Sequence, residues 1–256
     1  MRYAIISDIH ANLEALSAVL DAAERLGAER IVCLGDIVGY YANPTQCVDC
    51  LRGRGIECVR GNHDSVAGGL REPGDFSAPA LKAIVWTRRH LPAEYSQYLA
   101  SLPLSLVIDN RFVMVHAGLH PQPNDTVRIR NERDAGETLR CLPASGPRLC
   151  FCGHTHSSVI YARQGGTVTR HSGEQIELVP GASYLINPGS VGQPRDGDDR
   201  ASFAIYDSSR ASVRFHRELY DRRLTREKAI AAGTVSPPHI LRRSAQWLRD
   251  RALGRV

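Results

Sequence analysis

Long apolar runs are missing from this chain. No stretch approaches the roughly 18 apolar residues of a membrane-spanning helix. The opening run, Tyr3-Ala4-Ile5-Ile6, is too short for a secretory core segment. A disulfide framework is missing as well. Seven cysteines are an odd number, and a chain of 256 residues can bury a core without covalent staples. The expectation is reduced thiols and a cytoplasmic location. Cys47-x-x-Cys50 has no second pair of its kind, and Cys150-x-Cys152 brackets a strand. Both read as buried thiols rather than a zinc or redox motif. Internal repeats and low-complexity tracts are also lacking. So is a charge excess in the body: residues 1–216 hold 22 Lys+Arg against 23 Asp+Glu, while 217–256 hold 10 against 4. The whole net charge of +5 therefore sits in the C-terminal segment.

What is present is a series of short apolar runs, each ending in polar residues of a particular kind. Residues 2–7 read as a buried strand followed by Asp8-Ile9-His10. In an extended segment Asp8 and His10 would point the same way. Leu13, Leu16, Leu20, Ala23 and Leu26 then mark one helical face, with Asn12 as its cap and Gly27 as its stop. Residues 31–34 make a second strand ending in Gly35-Asp36, and a helix is expected over about 45–53. A third strand over 56–59 leads into Gly61-Asn62-His63-Asp64, read as a polar turn. Strand–helix alternation predicts parallel pairing, with sites at the carboxyl ends of the strands.

Residues 75–101 read as helical, with Pro79 and Pro92 near helix starts. A hairpin is expected over 104–115, ending in His116, and a short strand over 149–152 ends in Gly153-His154-Thr155-His156. Strands at about 158–163, 167–171 and 174–179 suit a meander, and 201–217 a last hairpin. The fold class is α/β, with two sheets face to face and helices outside. Residues 1–220 form the main domain. Residues 221–256 form a basic helical appendage whose apolar face, Leu241, Ala245, Leu248 and Ala252, suits the body or a second copy of the chain. The single Trp247 on that short segment does not favour nucleic acid.

The strand-end residues are Asp8, His10, Asp36, Asn62, His116, His154 and His156. Two carboxylates, an amide oxygen and four imidazoles suit first-row divalent ions: Mn, Fe, Co, Zn or Ni. Seven ligands suit two ions if one carboxylate bridges. Two such ions can activate water and stabilise both ends of an in-line displacement at phosphorus. His63 can carry a proton near pH 7, and Asp64 can hold its ring.

Asp8-x-His10, Gly35-Asp36, Gly61-Asn62-His63-Asp64, His116 and Gly153-His154-x-His156 together resemble the calcineurin-like metallophosphoesterase superfamily. Asp8-Ile9-His10-Ala11-Asn12-Leu13 and the segment from Asn187 to Arg195 are similar to small bacterial phosphodiesterase-like members. The resemblance implies a four-layer α-β-β-α sandwich of two mixed sheets. It implies one ion on Asp8, His10, Asp36 and His156, and a second on Asp36, Asn62, His116 and His154. Hydrolysis of a phosphodiester or phosphomonoester would proceed by attack of a bridging hydroxide. His63 would be the general acid that touches the phosphate beside Asn62, and Asp64 would align its ring.

Phosphoprotein phosphatases and dinucleoside tetraphosphatases follow Gly-Asp with an Asp-Arg clamp. Here the run is Gly35-Asp36-Ile37-Val38-Gly39-Tyr40. Arg60 and Arg195 are the candidates to replace that clamp. Nucleotide and dinucleoside polyphosphate hydrolysis, protein dephosphorylation and a non-catalytic metal-binding scaffold remain the competing functions. Manganese leads among the expected ions, and a small phosphate ester such as a nucleotide is the expected partner. Specificity is expected in loops 37–46, 65–78 and 117–131.

Overall fold

The computed structural model describes residues 1–74, 76–171 and 173–236. The first half runs β1 (Arg2–Ile6), α1 (Leu13–Arg25), β2 (Arg30–Cys33), α2 (Pro44–Gly53), β3 (Glu57–Cys58), α3 (Asn62–Ala67), α4 (Ala78–His90) and α5 (Ala93–Ser101). The second runs β4 (Ser105–Ile108), β5 (Phe112–Val115), α6 (Glu132–Arg140), β6 (Leu149–Phe151), β7 (Ser158–Gln164), β8 (Thr167–His171), β9 (Gln175–Glu177), β10 (Ser183–Pro188), β11 (Ala201–Asp207), β12 (Ser212–Glu218) and α7 (Arg222–Ala231).

Two six-stranded mixed sheets result, ordered β3-β2-β1-β11-β12-β9 and β4-β5-β6-β10-β7-β8. Alternation along β1 shows how the layers form. Ala4 and Ile6 pack with Leu16, Val19 and Leu20 of α1, while Tyr3 and Ile5 pack with Phe112, Met114 and Phe151 of the other sheet. A third apolar cluster, with Leu139 of α6 against Val113, Val115 and Leu185, covers the second sheet's outer face. The four expected layers, helix–sheet–sheet–helix, are thus in place. Between the sheets, Tyr3 and Phe112 meet edge-on at 5.1 Å, and Phe112 and Phe151 at 5.2 Å. Such pairs add about 1 kcal/mol each beyond their buried area.

Parallel pairing holds for β1–β2, β2–β3 and β5–β6. The carboxyl ends of β1, β2 and β3 therefore lie together, as do those of β5 and β6, and a 3.1 Å bond from the His154 N–H to Asp8 joins the two sets at one rim.

Three expectations need correction. The meander breaks, because β9 leaves β8 and pairs with β12 in the other sheet. Ile176 and Leu178 draw it there by packing into the cluster between the sheets. The polar turn at 61–64 is instead the start of α3. Its third residue, Asp64, accepts the Gly61 N–H at 3.0 Å, which satisfies a donor the helix start would leave open. Finally, Asp8 and His10 are not in extended backbone; their φ angles are 54° and 52°.

Residues at the start of the basic segment pack onto the body. Asp221 caps α7, Ala229 is buried, and Lys228 pairs with Glu14 of α1. The apolar face expected over Leu241–Ala252, and the contact between copies assigned to it, lie outside the described residues. Cys47, Cys150 and Cys152 are buried free thiols and Cys50 is half-buried. Burial pushes Cys47 and Cys150 well up and Cys152 to about 12, so these thiols are protonated at neutral pH. Among the described residues no helix is long and apolar enough to cross a membrane.

Candidate active site

The turns after β1 and β2 run side by side. Asp8 donates its N–H to Gly35 O at 3.0 Å, His10 to Asp36 O at 2.9 Å and Ala11 to Ile37 O at 2.8 Å. To make these bonds the chain enters the left-handed region at Asp8, His10 and Asp36, and again at His154 and His156, with φ between 52° and 66°. Non-glycine residues adopt this backbone only where surrounding structure enforces it, and such strain gathers at functional sites. Two glycines permit the close approach. A Cβ on Gly61 would lie 2.1 Å from Asp36 Oδ1, and one on Gly153 would lie 2.0 Å from Ser7 Oγ.

On this frame the seven strand-end residues come together. Asp8, His10, Asp36 and His156 bring ligand atoms within 4.8 Å of one another, and so do Asp36, His116 and His154. Asp36 belongs to both groups. Asn62 Oδ1 joins the second, 2.9 Å from His154 Nδ1 and 3.2 Å from His116 Nε2.

Proton bookkeeping shows that these groups fit cations. His10 Nδ1 lies 3.2 Å from Val38 O, and His156 Nδ1 lies 2.6 Å from Gln193 O. A carbonyl can only accept, so each Nδ1 carries the proton and each Nε2 keeps a lone pair. The two Nε2 atoms face each other at 3.0 Å. Two lone pairs at that distance repel unless a cation lies within reach of both. His116 repeats the pattern: Nδ1 donates to Leu34 O at 2.8 Å, and Nε2 points at Asn62 Oδ1 and at Asp36 Oδ2, 3.4 Å away. His154 Nε2 is buried with no hydrogen-bond partner among the described residues.

Electrostatics agrees. Burial, aided by neighbouring positive charge, holds His10 and His156 well below the usual histidine range and His154 down at about 3. All three are neutral imidazoles, the ligating form. His116 goes the other way: burial works against its charge, but Asp36 and Asp8 outweigh it and lift it to about 10. Burial would raise Asp36, yet His116 and His63 hold it well below the carboxylate range. Asp8 is pushed up to about 7 by burial, with Asp36 adding to it. A mixed N/O set of neutral imidazoles and carboxylates suits borderline first-row divalent ions.

Outer contacts hold these side chains in place, as a metal site would require. The Asn187–Gln193 segment supplies several of them. Ser190 Oγ donates to Asp8 O at 2.8 Å, Asn187 Nδ2 to Gly153 O at 2.6 Å, and Gln193 O receives His156. Asp64 does not serve the His63 ring as expected from sequence. Its Oδ1 accepts the N–H groups of Ile37 and Val38 at 2.9 and 3.2 Å, and its Oδ2 accepts Gly61. It fastens the Asp36 turn to the start of α3.

His63 donates its backbone N–H to Asp36 Oδ1 at 2.8 Å. Its ring packs between Tyr40, 5.0 Å away, and Phe76, 4.5 Å away. It lines a cavity of about 220 Å³ with Asp36, Asn62, His154, His156 and Arg195. Arg60 lies elsewhere, donating to Ser65 Oγ and to the carbonyls of Ala100 and Leu102. The same cavity is lined by Tyr40, Phe76, Thr126 and Arg128, which sequence reasoning did not single out. Their only signal was membership of the three loops expected to set specificity. A larger cavity of about 950 Å³ adjoins at Tyr40, but neither ligand group lines it.

Strand order, the shared carboxylate and the rim define a class. The chain belongs to the calcineurin-like phosphoesterase superfamily, whose sequence model matches residues 1–211. It is 36% identical over 263 residues to the uncharacterized protein MJ0912 of Methanocaldococcus jannaschii, covering 98% of each chain. Among solved structures it is similar to a metallophosphoesterase from Sphaerobacter thermophilus, with 39% identity, a TM-score of 0.76, and 92% of this chain and 95% of that one covered. The hypothetical protein PH1004 of Pyrococcus horikoshii OT3 shares the fold at 18% identity and a TM-score of 0.73, with 92% and 94% covered.

Proposed function

We propose that this protein is a cytoplasmic dinuclear-metal phosphoesterase that hydrolyses phosphodiester bonds, with a phosphomonoester as the alternative substrate. The observation that supports this most is Asp36, shared by two ligand groups that otherwise have no member in common. Asp8, His10, Asp36 and His156 would hold one ion, and Asp36, Asn62, His116 and His154 the other. Manganese is the proposed native ion, ahead of Fe, Zn, Co and Ni. When bound, the pair supplies Lewis-acid charge for the phosphate oxygens and lowers the pKa of a water molecule.

The chain's own residues do the rest. His63 protonates the leaving-group oxygen. The bond from its N–H to Asp36, and the packing of its ring between Tyr40 and Phe76, hold that acid beside the shared carboxylate. Asn62 and Arg195 bind the phosphate. The run after Gly35-Asp36 has no Asp-Arg pair, and Arg195 comes to it from another loop, donating to Tyr40 Oη at 3.1 Å. A guanidinium there can form paired, charge-assisted bonds to phosphate oxygens.

The test uses protein stripped and refilled with single metals. Metal-dependent turnover of bis-p-nitrophenyl phosphate is expected, and it collapses in Asp36→Asn and His63→Ala. A fully metallated sample inert on a panel of diesters and monoesters would overturn the reading.

A further inference from the structure

Arg128 was not among the residues singled out from sequence, yet it lines the metal-type cavity with Arg195. The two come from different loops. Arg195 donates its backbone N–H to His156 O at 3.0 Å and serves the first ligand group. Arg128 lines the cavity together with His154 of the second.

The loop that carries Arg128 is built rather than slack. Asn124 Oδ1 accepts the N–H of Val127 at 3.0 Å, and its Nδ2 donates to Gln122 O at 2.9 Å. Asp125 receives Ser65 of α3 and lies 3.6 Å from Arg71. Ile129 is buried in the cluster beside α6. Arg128 is thus fixed on both sides along the chain, and its neighbour Asp125 ties the loop to the helix that begins with Asn62 and His63. Among the described residues it makes no ion pair and no hydrogen bond.

Charge sets the consequence. Two divalent ions with two carboxylates already leave an excess that one phosphodiester, with a single negative charge, does not exceed. Two guanidiniums add two more positive charges at the mouth. A substrate with one anionic group leaves guanidinium charge unmatched.

We propose that Arg128 is a second anion-binding residue of this site, and that preferred substrates carry a further phosphate group besides the one cleaved. This rests on the phosphoesterase reading. Isothermal titration calorimetry on the metal-loaded protein tests it with adenosine 3′,5′-bisphosphate against adenosine 5′-monophosphate. Wild type should bind the bisphosphate about tenfold tighter or better, the worth of one charge-assisted contact. Arg128→Ala should bring the two ligands close to parity, and Arg128→Lys should keep most of the preference. A wild type without preference, or an Arg128→Ala protein that retains it, overturns the inference. Turnover of bis-p-nitrophenyl phosphate by wild type is scored alongside. Activity without bisphosphate preference sinks the Arg128 inference alone, whereas absence of both sinks the phosphoesterase reading as well.

Discussion

The same strands build two regions of opposite character. Between the sheets, Tyr3, Phe112, Phe151 and Tyr206 follow strict alternation and pack as aromatic pairs. A few residues further along, at the carboxyl ends, Asp8, His10, Asp36, His154 and His156 adopt left-handed backbone and crowd lone pairs together. One region obeys every local rule and the other breaks several. The difference teaches where stability and function are stored: the packed core over-determines the strands, and the rim spends part of that surplus on holding ligands in costly geometry.

The comparison breaks if rim and core substitutions have the same consequences. Asp36→Asn carries the largest expected effect. Activity should fall at least about a thousandfold, since both ligand groups lose their shared carboxylate. The metal-free protein's melting temperature should fall, because His116 loses the carboxylate that holds its charge, but by less than a core truncation costs. Steady-state kinetics with thermal melts of stripped protein checks both halves.

His63→Ala should lower kcat by about 10²–10⁴, the usual worth of a general acid, while metal content stays unchanged. Elemental analysis of the purified variant separates it from Asp36→Asn. Phe112→Ala is the core counterpart. It should cost about 3–5 kcal/mol in denaturant unfolding, and the folded fraction should keep wild-type metal content.

The smallest effect concerns pH and sharpens the electrostatic side. Without metal, His116 is lifted to about 10 and Asp8 to about 7, both above their ordinary values. At neutral pH these groups therefore hold protons that cations must displace. Metal binding should release protons, and affinity should weaken as pH falls from about 8 to about 6. Calorimetry in buffers of different ionisation enthalpy reads the release directly; proton uptake would contradict the assignment.

Much of this was legible in the sequence, for a physical reason. Apolar runs of strand length end abruptly in Asp, Asn or His, and parallel pairing carries those ends to one side, so the residues that gather on the rim could be read from order alone. The layers followed from the same runs. What stayed hidden depends on contacts between distant segments. The three-residue β9 joins the other sheet because of what Ile176 and Leu178 touch, and no periodicity records that. The left-handed turns at Asp8 and His10 come from hydrogen bonds to the β2 turn, 27 residues or so away in the chain. Asp64 sits next to His63 in sequence, which suggested a partner, but the helix start turns its carboxylate towards backbone amides. Arg128 sits on a loop whose shape is set by Asn124 and Asp125, and only its closeness to the cavity distinguishes it from other surface arginines.

The most direct test of the central claim is anomalous diffraction from crystals of protein refilled with manganese. Two peaks about 3.5–4 Å apart should flank the Asp36 carboxylate, one towards His10 and His156 and the other towards His116 and His154. A single peak, or manganese bound anywhere that leaves Asp36 out of contact, would contradict it.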